Sequence, residues 1–155
     1  MRIRKAITAS FAALMIAAIA FTSACAPKQE SRYAKQKVVY HINYPGGKDD
    51  KKYKGAMRNV QNHINAVGAE NLDLKVVVHG NGYHMLKNAK AAGKLQTAIS
   101  SLKSQNVTFQ VCANTLKGKK VGADELYEVF DEDIVPSGVA ELAHLQAQGY
   151  TYIKP

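Results

Sequence analysis

Val76-Val77-Val78 is a run of three β-branched residues with nothing polar between them. A strand with one wet face alternates apolar and polar side chains. An unbroken apolar run marks a strand buried on both faces, as in a parallel sheet covered by helices. The run lies in Leu72–Val78. Lys37–Tyr44, with Val38, Val39, Tyr40 and Ile42, and Val107–Val111 also read as strands. Between them the apolar period changes. Asp49–Val67 is apolar at 53, 56, 57, 60, 64 and 67, the stripe of an amphipathic helix, and Gly68 is placed to end it. Lys94–Lys103 repeats the pattern through Leu95, Ala98, Ile99 and Leu102, and Tyr83–Asn88 reads as a shorter helical piece.

Beyond the third strand, Asn114–Lys117 opens a short helix and Gly118-Lys119-Lys120 reads as loop. A strand is expected within Val129–Val135, ended by Pro136. Ser137 is a good N-cap for a helix lined by Val139, Leu142, Ala143 and Leu145. Gly149 stops that helix, and Tyr150–Ile153 is a last strand. This alternation predicts an α/β fold, a flavodoxin-like three-layer sandwich with a mainly parallel sheet. The pattern does not set the strand order.

The first residues read as an address. Arg2, Arg4 and Lys5 precede an uncharged, apolar stretch from Ala6 to Pro27, the layout of a secretory signal. It contains Thr22-Ser23-Ala24-Cys25, which resembles a bacterial lipoprotein processing site with Cys25 as the lipidated residue. Cleavage without lipid and a retained anchor are the alternatives. The expected division is a signal over 1–24, a polar tether over 25–36 and one domain over 37–155. Ala26, rather than Asp, favours an outer-membrane lipoprotein facing the periplasm.

That division reassigns the charge. The chain carries a formal +9, which invites a nucleic-acid partner. Removing the three basic residues of the signal from the total of 21 leaves 18 against 12 acidic residues, a formal +6, much of it in Lys28–Lys54 beside the expected membrane attachment. Only Arg32 and Arg58 follow the signal, so the usual reader of guanine is scarce and no nucleic-acid partner is expected.

After export, Cys112 is the one cysteine outside the lipid site. It falls at the carboxyl end of the third strand, where open α/β sheets place their sites, just before Asn114-Thr115 open a helix whose N-terminus favours a thiolate. A lone cysteine is also a common packing residue. Asn43 and His79 fall at the ends of the other two strands. Gly80-Asn81-Gly82 follows His79 and lets a main chain approach a ligand closely. In a parallel sheet Asn43, His79 and Cys112 share one rim. Cys112 with His79 makes a nucleophile and base pair or part of a soft-metal site, with Asn43, Gly80 and Asn114 as ligand-binding positions. His41 reads as a packed core residue, and His63, His84 and His144 as structural or surface ones. No HExxH, paired CxxC, GxGxxG or P-loop motif occurs, and no cofactor is expected.

The runs Lys37–Asn43, Val60–His63, Val77–Gly80, Phe109–Leu116, Val135–Leu142 and Gly149–Pro155 resemble the DsrE/DsrF-like sulfur-relay family, in its branch of small exported single-domain proteins. The resemblance implies a flavodoxin-like sandwich assembled as a homotrimer or hexamer. It also implies a strand-end cysteine that carries a persulfide, a role that transfers to Cys112 alone. The best-understood relay members are cytoplasmic and heteromeric, whereas this chain reads as exported. The expected function is an exported sulfur carrier or sulfurtransferase-like protein with sulfur donors and acceptors as partners. The alternative is a periplasmic lipoprotein that binds a small ligand or soft metal without catalysis.

Overall fold

The computed structural model describes residues 32–155. The signal, Cys25 and most of the tether lie outside them. Five strands, β1 (Gln36–Ile42), β2 (Leu72–Val78), β3 (Thr108–Cys112), β4 (Ile134–Val135) and β5 (Thr151–Ile153), form one sheet of order β4-β3-β2-β1-β5. Every pairing is parallel, and Val76, Val77 and Val78 are fully buried. The helices are α1 (Lys51–Val67), α2 (His84–Asn88), α3 (Lys94–Lys103), α4 (Ala113–Lys119) and α5 (Gly138–Ala147). None of the described helices is long and apolar enough to cross a membrane.

The strand order explains why the two faces differ. From β1 to β4 the chain steps across the sheet in one direction, so right-handed crossovers stack their helices on one face. There α1, α2 and α3 build the larger core, with Tyr53, Met57, Ile99 and Phe109 against Val38, Tyr40, Ile42, Val76 and Val78. The return from β4 to β5 runs the other way and puts α5 on the opposite face. That smaller core holds Val39, Val77, Leu142, Leu145 and Tyr150.

Side chains alternate between faces along each strand, so the α5 face also receives His41, His79, Gln110, Cys112 and Tyr152. The chemically versatile residues therefore share the thinly covered face. α5 touches the sheet along Gly138, Leu142 and Leu145, one narrow stripe. Val139, expected on the buried face, is turned out and 66% exposed, and Ala143 is exposed too. One residue on a helix is a rotation of about 100°, enough to leave a single-stripe contact.

Three expected boundaries move. α1 begins at Lys51 because Asp49 and Asp50 adopt left-handed backbone at φ 53° and 56°. α4 continues through Gly118-Lys119, expected as loop, and ends where Lys120 turns left-handed. The fourth strand shrinks to Ile134–Val135, because the acidic run before it folds as a 3₁₀ turn at Asp131–Asp133 whose Asp133 carboxylate accepts from the Phe130 amide at 3.1 Å. Ser137 does cap α5, accepting from the Ala140 amide at 3.4 Å. Ser137→Ala is expected to lower stability by about 0.5–1 kcal/mol, read from urea unfolding midpoints.

Candidate functional site

The ends of β1, β2 and β3 bring the expected residues to one rim. The β1–β2 ladder continues past Val78 through the His79 amide, which donates to the Ile42 carbonyl at 3.2 Å. The chain then turns sharply. Gly80 adopts φ 52°, and a Cβ at Gly82 would lie 2.1 Å from the Ile42 carbonyl oxygen, so only glycine fits. Asn43 takes part through its main chain, against which Gly80 and Gly82 pack. Asn114 is exposed in the first turn of α4.

Cys112 is the N-cap residue of α4 and is 5% exposed. Burial raises a thiol pKa, yet this one lies below its ordinary value. The Gly138 amide, the Thr115 hydroxyl and the Thr115 and Asn114 amides together outweigh the burial. These groups come from the starts of α4 and α5, and the Cys112 side chain closes no cap bond of its own on α4. The Thr115 hydroxyl accepts from the Gly80 amide at 2.9 Å, which leaves its own proton for the sulfur. Gly138 matters for a steric reason. A Cβ there would lie 2.9 Å from His79 Cβ, 3.1 Å from His79 Cδ2 and 3.2 Å from Cys112 Cβ. A glycine at the start of α5 thus lets the helix descend between the two side chains.

His79 has an unexpected neighbour. His41, expected to be a plain core residue, is buried and hydrogen-bonded at both ring nitrogens. Its Nε2 lies 2.6 Å from His79 Nε2, and its Nδ1 lies 2.7 Å from the Tyr152 hydroxyl. The two imidazoles stack with centroids 4.7 Å apart. Burial, His79 and Lys154 depress the His41 pKa from 6.5 to about 4. Burial and Lys154 lower that of His79. Both rings are therefore neutral at pH 7, each with one donor and one acceptor nitrogen.

The other histidines are structural or peripheral. His63 on α1 bonds to the Tyr40 hydroxyl and the Gln36 amide oxygen, His84 packs on Tyr83, and His144 bonds to Gln148. Among the described residues no group of three or more His, Cys, Asp or Glu side chains converges to hold a metal ion. A cleft of about 860 Å³ between α1 and α3, ringed by Lys51, Lys54, Arg58 and Lys94, contains none of the rim residues.

Thr115, Gly138, His41 and Tyr152 were not singled out for this site from sequence. The available signal was face parity. His41 sits two residues past Val39 and pairs with Val77, which puts it on the same face as His79.

A sequence model of the DsrE/DsrF-like family matches residues 8–155. The chain belongs to the DsrE/DsrF-like family. Two solved structures agree with this fold. One is MTH1491 from Methanobacterium thermoautotrophicum, described as a protein of unknown function. It is 29% identical with a TM-score of 0.65, over 77% of this chain and 99% of that one. The other is the ychN protein from E. coli, 17% identical with a TM-score of 0.60 over the same shares of the two chains, a likeness of fold. No curated protein matches the chain. The family is associated with sulfur relay, which supports a general role in sulfur metabolism for this member.

Proposed function

We propose that Cys112 is a sulfur carrier. The observation that supports this reading most is a buried thiol whose pKa is nonetheless depressed by convergent donors, at the strand-end rim of a sulfur-relay fold. The Cys112 thiolate attacks the outer sulfur of a persulfide or polysulfide. One S–S bond forms on Cys112, the donor's S–S bond breaks, and the donor leaves as a thiolate. In the second half an acceptor thiolate takes the outer sulfur and Cys112 leaves as its own thiolate. No net oxidation occurs in either exchange. The donors that lower the thiol pKa also stabilise Cys112 as leaving group, because a lower leaving-group pKa speeds exchange. With Cys112 only 5% exposed, the site suits a small or slender sulfur donor. In this reading Cys25 carries the lipid, the domain works on the periplasmic side of the membrane as a homo-oligomer, and its partners are the sulfur donor and acceptor.

Incubation with polysulfide followed by trapping and mass spectrometry is expected to add one sulfur atom at Cys112. Cys112→Ser should stay unloaded. No added sulfur on the wild-type thiol, or equal loading of the variant, rejects the carrier.

A further inference from the structure

We propose that Tyr152, His41 and His79 form a hydrogen-bonded proton relay, with His41 and Tyr152 as positioning residues that set the His79 tautomer for the thiol chemistry at Cys112. The inference rests on the proposed carrier role for its substrate, but its geometry stands alone. The three side chains come from β5, from its neighbour β1 and from the residue that follows β2 on the other side of β1. Their two contacts, at 2.7 and 2.6 Å, are continuous through the His41 ring. β1 and β5 flank the point where the strand order reverses, which is where open α/β sheets bind ligands. Tyr152 is 38% exposed, so the outer end of the chain reaches solvent, while His41 in the middle is 7% exposed. At the inner end His79 packs with Cys112 about Gly138.

Two neutral imidazoles in line with a phenol admit two arrangements. In the first, the Tyr152 hydroxyl donates to His41 Nδ1, His41 Nε2–H donates to His79 Nε2, and His79 carries its proton on Nδ1. In the second, His41 Nδ1–H donates to the Tyr152 oxygen, His79 Nε2–H donates to His41 Nε2, and His79 Nδ1 is a bare base. A proton taken by His79 Nδ1 from a group bound at the rim converts the second arrangement to the first. The Nε2 proton of His79 passes to His41, the Nδ1 proton of His41 passes to Tyr152, and the phenol's own proton leaves to water. Each group ends neutral and one proton has moved from the site to solvent. The reverse passage returns a proton to the site for a departing thiolate. Lys154 bears on both rings electrostatically and disfavours a trapped imidazolium, so the proton is passed on rather than stored.

Tyr152→Phe removes one hydroxyl and His41→Phe removes both bonds while keeping a ring. The expected result in ¹⁵N-correlated imidazole spectra is one dominant His79 tautomer in the wild type and a mixture in both variants. Loading of Cys112 by polysulfide is expected to slow roughly tenfold in His41→Phe, with a displaced pH profile and less change in Tyr152→Phe. Unchanged His79 tautomers together with unchanged pH profiles overturn the relay while leaving a loading Cys112 intact as a carrier. A wild-type Cys112 that never loads overturns the carrier, and the tautomer spectra then still decide the relay. If His41→Phe does not fold, Tyr152→Phe carries the same test through the tautomer reading.

Discussion

Gly138→Ala is expected to destabilise the protein by about 1–3 kcal/mol and to raise the Cys112 thiol pKa. Alanine normally outperforms glycine in a helix by about 0.5–1 kcal/mol, so the sign here is set by space. The added methyl would lie 2.9 Å from His79 Cβ and 3.2 Å from Cys112 Cβ. Those carbons are held by strand-end backbone and cannot swing away, so overpacking of the kind that costs about 1–3 kcal/mol wins. The least costly relief is for α5 to retreat. Retreat withdraws the Gly138 amide, one of the donors that hold the thiol below its ordinary value, and shifts the balance toward burial. The pH profile of iodoacetamide alkylation at Cys112 should therefore move to higher pH, and loading at neutral pH should fall with the lost thiolate. Gly55→Ala is the contrast. It lies inside α1 with open space where its methyl would go, so the same substitution should stabilise by up to about 1 kcal/mol. An alkylation profile unmoved in Gly138→Ala would show that this amide does not hold the thiolate.

The parallel sheet and the position of the thiol were legible in the sequence for the same reason. The continuous apolar run Val76–Val78 declares burial on both faces, and Cys112 falls at the end of the next β-rich segment. The strand order was not legible, because it depends on where β5 returns, a matter of packing rather than local pattern. Much of the chemistry around the thiol depends on that return. Tyr152 reaches His41 only because β5 pairs with β1, and Gly138 reaches Cys112 only because α5 crosses the second face. The short β4 departs from the sequence pattern for a local reason: β-branched Val129, Ile134 and Val135 suggest strand, but three acidic residues between them satisfy their own turn. The role of His41 is not legible, because a histidine inside an apolar strand carries no signal of its hydrogen-bond partners.

Acid should unfold this protein in a window that His41 defines. Its ordinary pKa is 6.5, and in the folded protein it is depressed to about 4 by burial, His79 and Lys154. Above pH 6.5 the ring is neutral in both folded and unfolded chains, so stability there is at its full value. Between 6.5 and about 4 the unfolded chain binds a proton that the folded chain refuses. Stability rises with pH wherever the unfolded state holds more protons, so it must fall as the pH drops through this window, and the loss levels off below about 4. At 1.36 kcal/mol per unit the loss from His41 alone is roughly 3 kcal/mol. His79 and His63 are shifted in the same sense and add to the slope. Urea unfolding at a series of pH values should show the decline in the wild type. His41→Gln, which has no ring to protonate, should flatten most of it while retaining the shallower slope of the other two histidines. A wild-type stability that is level from pH 6.5 to 4 would mean that His41 takes up a proton in the folded state. The neutral pair on which the proton relay depends would then break down from about pH 6.5 instead of persisting to about 4.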